Sequence, residues 1–287
     1  MESIAIIDEG GNVGLDGVLD PVPWWSFTKT VLAVAALRLV ERGALSLTEK
    51  IAGEPFTLAH LLRHEAGLPD YGGLARYHED VEANKSPWPV GRLLQALDAK
   101  RPRYEPGNGW AYSNVGYLKV RELIEHATGL SLEAALDQLV FAPLGLKTAR
   151  VATSLADMTG VRMGAGHEEY HPGWVYHGLV TGTAADAAGF LRALIGGLLL
   201  RPATLTAMLE RRALPEYRNE TFSDPAYGLG LMLNAVSPLD HPIGHRGGGP
   251  GSTIAVYALG QRVCAVWHDS AQNPDLVVDM AFQRLMK

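Results

Sequence analysis

A single cysteine, Cys264, occurs among 287 residues, so no disulfide can form within the chain. It lies in the apolar run RVCAVW. A thiol there, without an electropositive neighbour, reads as a small strand-filling side chain rather than a nucleophile. Basic clusters are missing too: 25 Lys and Arg stand against 31 Asp and Glu, and the formal net charge is −6. That balance gives no phosphate-binding footprint, so nucleic acid is not an expected partner. No uninterrupted apolar stretch reaches the ~18 residues of a membrane span. The first residues, MESIAIIDEGG, lack the basic and long apolar segments of a secretory leader, so the expectation is a soluble, cytoplasmic protein. There is no Gly-x-Ser-x-Gly elbow, which argues against an α/β-hydrolase. GGGPG is not followed by the Gly-Lys-Ser/Thr of a phosphate loop. Repeats and low-complexity segments are absent.

What is present is ordinary globular composition, 47% hydrophobic and 20% charged. The length exceeds a domain of roughly 100–200 residues, so one large domain or two interwoven ones are expected. SIAIID, the turn EGGN and VGLDG predict an N-terminal hairpin. TKTVLAVAALRLVERG, from Thr28 to Gly43, has helical spacing and is apolar over most of its surface, so a buried helix is expected. Thr57 is suited to cap a helix running to Gly67, and further helices are expected over Val90–Lys100, Gly116–Thr128 and Ser131–Val140. Gly145–Ala165 reads as loop. TAAD, from Thr183, resembles a capping box. YGLGLML, TIAVYAL and RVCAVWH read as strands, and Leu276–Met286 as a closing helix. Strands at both ends with helices between predict an α/β (α+β) fold. An antiparallel sheet flanked by helices is built from residues 1–50 and 179–287, and an all-helical lobe from residues 51–178.

Three short patterns carry possible chemistry. Ser26 and Lys29 are one helical turn apart, with Cβ atoms about 5–6 Å from each other on one helix face. A buried amine loses part of its affinity for a proton, so Lys29 can serve as a base toward Ser26. The bland alternative is an N-cap serine and a surface lysine. Tyr112 and Asn114, two apart, face the same way if the segment is extended; otherwise they are a core tyrosine and a helix cap. GHRGGGPG, Gly244–Gly251, permits close approach of backbone to a ligand beside His245, or is only a turn.

In that order, Ser-x-x-Lys, Tyr-x-Asn and His-x-Gly resemble the serine β-lactamase and penicillin-binding protein family, and its class C, D-aminopeptidase and family VIII esterase branch in particular. LLRHEAGLPDY, HGLVTGTAADAAGFLRAL, YGLGLML and GHRGGGPGSTIAVY are similar to the family's flanking segments, so the resemblance covers the chain from Trp25 onward. It implies the β-lactamase/transpeptidase fold, no cofactor and no metal. It implies that Ser26 is acylated, and that Lys29 and Tyr112 activate it and protonate the leaving group. Asn114 and His245 with Gly247 would bind substrate. The N–H groups of Ser26 and Gly248 would receive the oxyanion, and water would complete the hydrolysis.

Two departures qualify the expectation. The third motif is His-Arg-Gly, and a neutral imidazole attracts a substrate carboxylate less than an ammonium does. Arg246, next along a strand, would point away from His245. Little chain precedes the nucleophile. The expected activity is therefore hydrolysis of small esters, amides or peptides, with weak or no β-lactamase activity. Transfer of the acyl group to another acceptor, or a sensor that binds penicillin without turnover, are the alternatives.

Other candidates are weaker. His60 and His64 sit four apart without a third metal ligand, and His167, His171 and His177 fit no zinc spacing. The segment holding the latter three is read as a loop over the cleft, with Tyr170 and Trp174 as walls. Trp24 and Trp25 are expected in the core, one of them bordering the acyl pocket.

Overall fold

The computed structural model describes residues 1–237, 240–269 and 273–287. The strands, in chain order, are β1 (Glu2–Ile7), β2 (Val13–Gly17), β3 (Val22–Pro23), β4 (Arg150–Ala152), β5 (Leu179–Gly182), β6 (Arg212–Ala213), β7 (Pro225–Tyr227), β8 (Met232–Asn234), β9 (Ile243–Gly249), β10 (Ser252–Leu259) and β11 (Arg262–His268). The helices are α1 (Thr28–Glu41), α2 (Leu58–Leu62), α3 (Ala75–Glu82), α4 (Val90–Ala96), α5 (Asn114–Thr128), α6 (Leu132–Leu136), α7 (Ala142–Leu144), α8 (Ala184–Ile195), α9 (Pro202–Leu209) and α10 (Pro274–Leu285).

The large sheet runs β2-β1-β11-β10-β9-β8-β7-β6, so strands from the two ends of the chain lie side by side in it. β1 pairs antiparallel with β11, Glu2 facing His268 and Ile7 facing Val263. A second sheet, β3-β5-β4, links residues just before Ser26 to the middle of the chain. The period of two along a strand sorts the large sheet's side chains onto two cores. Ala5, Ile7, Val256, Ala265 and Trp267 join the main core with α1 and α8. Ile4, Tyr257, Cys264 and Val266 pack instead with Val277, Val278 and Ala281 of α10. Burial on both faces is why β10 and β11 read as unbroken apolar runs. Cys264 is a buried strand residue, and burial pushes its thiol up to about 12.

The hairpin, α1, α8, β10 and β11 lie where the sequence placed them. Several elements differ. The helix capped by Thr57 stops at Leu62, not Gly67, because His64 adopts a left-handed backbone with φ +61°. Gly145–Ala165 contains β4, a strand too short to show alternation. YGLGLML is interrupted: the Gly228 N–H bonds the Leu231 carbonyl at 2.9 Å, and Gly230, at φ +79°, packs so close that a Cβ would meet Ala33 Cβ at 2.6 Å. The TAAD box is half formed. Thr183 accepts from Asp186 N–H, but the Asp186 carboxylate turns to the Thr148 hydroxyl at 2.6 Å. Among the described residues no helix is long and apolar enough to cross a membrane.

Candidate active site

Ser26 is not a helix cap. It sits in a 3-10 turn, Trp25–Phe27, that leads directly into α1. Trp25, just before it, has φ +43°. A non-glycine residue in this region costs about 1–2 kcal/mol, and such strain persists only where surroundings fix it. Here the indole N–H of Trp25 donates to Ser252 Oγ at 3.0 Å. The glycines of β9 close around the same turn. A Cβ on Gly249 would meet the Trp25 ring at 2.5 Å. A Cβ on Gly247 would lie 2.5 Å from Ser26 N and 2.7 Å from the Trp24 carbonyl. Glycine is thus required by close approach rather than by a ligand. We predict that Gly247→Ala pries β9 off this turn and destabilises the fold by about 1–3 kcal/mol, the usual cost of overpacking. Denaturant unfolding checks this; a variant within ~0.3 kcal/mol of the parent would contradict it.

α1 is apolar on every side, and Lys29 is buried inside it. Its Nζ lies 3.0 Å from Ser26 Oγ, 2.7 Å from Asn114 Oδ1 and 3.2 Å from His177 Nε2. Burial lowers the amine to about 7, opposed in part by Asp70. An amine with that affinity is present in both forms near neutrality, as a general base requires.

Tyr112 lies beside this pair, its ring centroid 5.0 Å from Lys29 Nζ. Burial holds the phenol's proton well above its ordinary range, while a hydrogen bond with Ser26 pulls the other way. His64 stacks behind Tyr112 at 4.4 Å, and its Nδ1 accepts from Ser113 N–H at 3.1 Å. Ser113, not Asn114, caps α5, accepting from Gly116 N–H. Asn114 opens the helix, and its own N–H donates to Asp70 at 2.7 Å. With its carboxamide oxygen on Lys29, its NH2 remains for a ligand.

His245 and Gly248 of β9 border Ser26 from the opposite side, in a cavity of about 380 Å³. The His245 ring Nδ1 faces the Arg246 carbonyl, which can only accept, so this nitrogen carries the proton. Nε2 then accepts from Tyr227 O–H at 2.8 Å. Burial, with Lys29 adding to it, pushes His245 down to about 3, so the imidazole is neutral. Arg246 borders the same cavity despite strand alternation, its guanidinium 5.7 Å from the Phe222 ring and paired with Asp275.

A second cavity, of about 450 Å³, opens on the other side of Ser26 and is bordered by Trp25, Asn114, Tyr170, His177 and Gly248. Tyr170 is thus a wall, whereas Trp174 is a core residue whose carbonyl takes the Tyr77 hydroxyl. Trp24 is core and Trp25 borders the cavity. The histidine pairs disperse. His60 Nδ1 completes the Thr57 capping box, His64 lies behind Tyr112, and His171 Nδ1 accepts from Gly173 N–H. Among the described residues no group of His, Cys, Asp or Glu could hold a metal ion.

Ser26, Lys29, Tyr112, Asn114, His245, Gly247 and Gly248 therefore converge on one place. The family model for Beta-lactamase matches residues 20–285, nearly the whole chain. The chain belongs to the beta-lactamase family. A 133-residue segment is 32% identical to Penicillin-binding protein 4* of Bacillus subtilis (strain 168), covering 44% of this chain and 29% of that protein. A 142-residue segment is 31% identical to Esterase EstB of Burkholderia gladioli, covering 42% of this chain and 36% of the esterase. These matches span about a third of the relatives' own length. The fold superposes on D-amino acid amidase from Ochrobactrum anthropi SV3 complexed with D-phenylalanine at a TM-score of 0.82. That alignment is 21% identical and covers 99% of this chain and 92% of the amidase.

Three residues that contact this cluster carry no local signal in the sequence: Asp70, Tyr227 and His177. Asp70 and Tyr227 stand inside segments that resemble the family, but nothing in their spacing marks a partner. His177 opens the family-like segment HGLVTGTAAD and lies in the stretch read as a loop over the cleft, but nothing local links it to Lys29.

Proposed function

We propose that this protein is a serine hydrolase in which Ser26 attacks an ester, amide or peptide carbonyl and is acylated. The observation that carries the reading is the Lys29 amine, lowered to about 7, 3.0 Å from Ser26 Oγ. In the free enzyme the neutral amine takes the Ser26 proton as the oxygen attacks. Lys29 and Tyr112 then return a proton to the leaving group, and water attacking the acyl-enzyme releases the acid and restores Ser26. The N–H groups of Ser26 and Gly248 form the oxyanion hole, which Gly247 supports by allowing β9 to lie against the turn. The Asn114 NH2 and the wall around His245 hold the substrate.

The cavities favour an apolar or aromatic substrate. Trp110, Tyr112, Tyr217, Phe222 and Tyr227 border one, and Tyr71, Tyr77 and Tyr170 the other. Neutral His245 and an Arg246 already paired with Asp275 offer a substrate carboxylate little attraction, so β-lactam turnover is weak or absent. The names of the esterase and the amidase agree with this class of substrate.

Labelling with a fluorophosphonate is the test. The expected result is one phosphonyl group per chain, on the peptide containing Ser26, with hydrolysis of p-nitrophenyl butyrate lost in proportion. Ester hydrolysis that survives complete labelling, or a label on another residue, overturns the reading.

A further inference from the structure

We infer that His177 is a positioning residue that aims the Lys29 lone pair at Ser26; the inference rests on the hydrolase reading above. His177 lies within the turn Val175–Gly178, where the Gly178 N–H bonds the Val175 carbonyl at 2.8 Å and Gly178 takes φ +98°. That turn carries the imidazole to the wall of the second cavity, where it is 2% exposed. Nε2 lies 3.2 Å from Lys29 Nζ, and Nδ1 is buried with no hydrogen-bond partner among the described residues.

The count of protons and lone pairs at Lys29 assigns the role. As an ammonium, Lys29 has three N–H donors, and Ser26 Oγ, Asn114 Oδ1 and His177 Nε2 are the acceptors that meet them. As an amine it has two N–H donors and one lone pair. With Asn114 Oδ1 and His177 Nε2 taking the two donors, the lone pair is left facing the Ser26 hydroxyl. A proton on His177 Nε2 would break both arrangements. It would oppose the ammonium donor to donor, and it would draw the amine's lone pair away from Ser26. The tautomer with the proton on Nδ1 alone serves both forms of Lys29 through the cycle. It leaves a buried Nδ1–H unsatisfied, a cost to stability that marks a feature kept for another reason. A second charge on the ring is disfavoured: burial, then Lys29, Arg121, His245 and His64, hold His177 well below its ordinary range. The groups around Lys29 are Asp70, which favours its charge, the rings of Tyr112 and Tyr117, and neutral His64, His177 and His245.

The experiment compares His177→Leu, which removes the acceptor, with His177→Gln, whose carboxamide oxygen replaces it. In the Leu variant kcat for p-nitrophenyl butyrate is expected to fall about 100-fold with KM changed less than about threefold, the cost of a misaimed base. Without the third acceptor the ammonium is less stable, so the acidic limb of the pH profile moves to lower pH. His177→Gln restores kcat to within about tenfold of the parent and returns the limb. If the Leu variant does not fold, His177→Asn, too short to reach Nζ, takes its place. The Lys29 titration, followed through its 13Cε resonance, reads the same shift without any turnover. Failure of the parent to hydrolyse the ester therefore falls on the hydrolase reading, while the titration still decides this one. A Leu variant with unchanged kcat and an unchanged Lys29 midpoint overturns the inference, as does one that is faster than the parent.

Discussion

Ser26→Ala is expected to lower kcat for p-nitrophenyl butyrate by about 10⁴–10⁶-fold, the loss that follows removal of a nucleophile acting within a linked set. Its stability should stay within ~0.5 kcal/mol of the parent. The reason for both lies in the local structure. The 3-10 turn is held by the Trp25 indole on Ser252, by Phe27 N–H on the Trp24 carbonyl, and by the glycines of β9. None of those contacts uses the Ser26 hydroxyl. Lys29 keeps Asn114 Oδ1 and His177 Nε2 when Oγ is removed. Thermal unfolding and steady-state kinetics on the same preparation measure the two effects. A variant retaining more than a few per cent of the parent rate would remove Ser26 from the chemistry.

The second expectation is Lys29→Met, for which the loss of function comes with a stability change that depends on pH. Loss of the base lowers kcat/KM by about 10³-fold or more. The folded chain, however, holds this amine at about 7 against 10.5 when exposed, so burial costs free energy whenever the unfolded chain is protonated. The sign follows from proton counts. Between about pH 7 and 10.5 the unfolded chain binds a proton at Lys29 that the folded chain does not, so stability rises with pH across that window. Below pH 7 the cost is fully present, about 5 kcal/mol at ~1.4 kcal/mol per pH unit. Methionine removes it but leaves Asn114 Oδ1 and His177 Nε2 without a donor, at about 1–3 kcal/mol each, an opposing cost of similar size that does not vary with pH in this window. The expected result is a stability difference that shifts by about 5 kcal/mol in the parent's favour between pH 7 and 10.5, the variant being near the parent at pH 6–7 and clearly less stable at pH 10. Denaturant unfolding across that range checks it. A difference independent of pH would show that Lys29 keeps its ordinary proton affinity in the fold.

What was legible in the sequence follows from periodicity and from spacing. α1, β10 and β11 were plain because each is buried on all sides or on both faces and so carries a continuous apolar run. The residues of Ser-x-x-Lys, Tyr-x-Asn and His-x-Gly were legible because each motif is held within one turn or one strand. The boundary of α2 was not, because it depends on His64 taking a left-handed backbone to reach Ser113 across the fold. β4 was hidden by its length, and its partner β5 lies far along the chain. Alternation misplaced Arg246, since a long side chain paired with Asp275 ends beside the cavity whichever way its Cβ points. His177 shows the limit most clearly: its significance is a distance to Lys29 over 148 positions of sequence, which no local pattern encodes.

The central claim is that burial makes Lys29 a base at neutral pH. Its direct measurement is the titration of the Lys29 13Cε resonance in the intact protein, assigned by its disappearance in Lys29→Met. The account predicts a midpoint near 7. A midpoint near 10, the value of an exposed lysine, would contradict it.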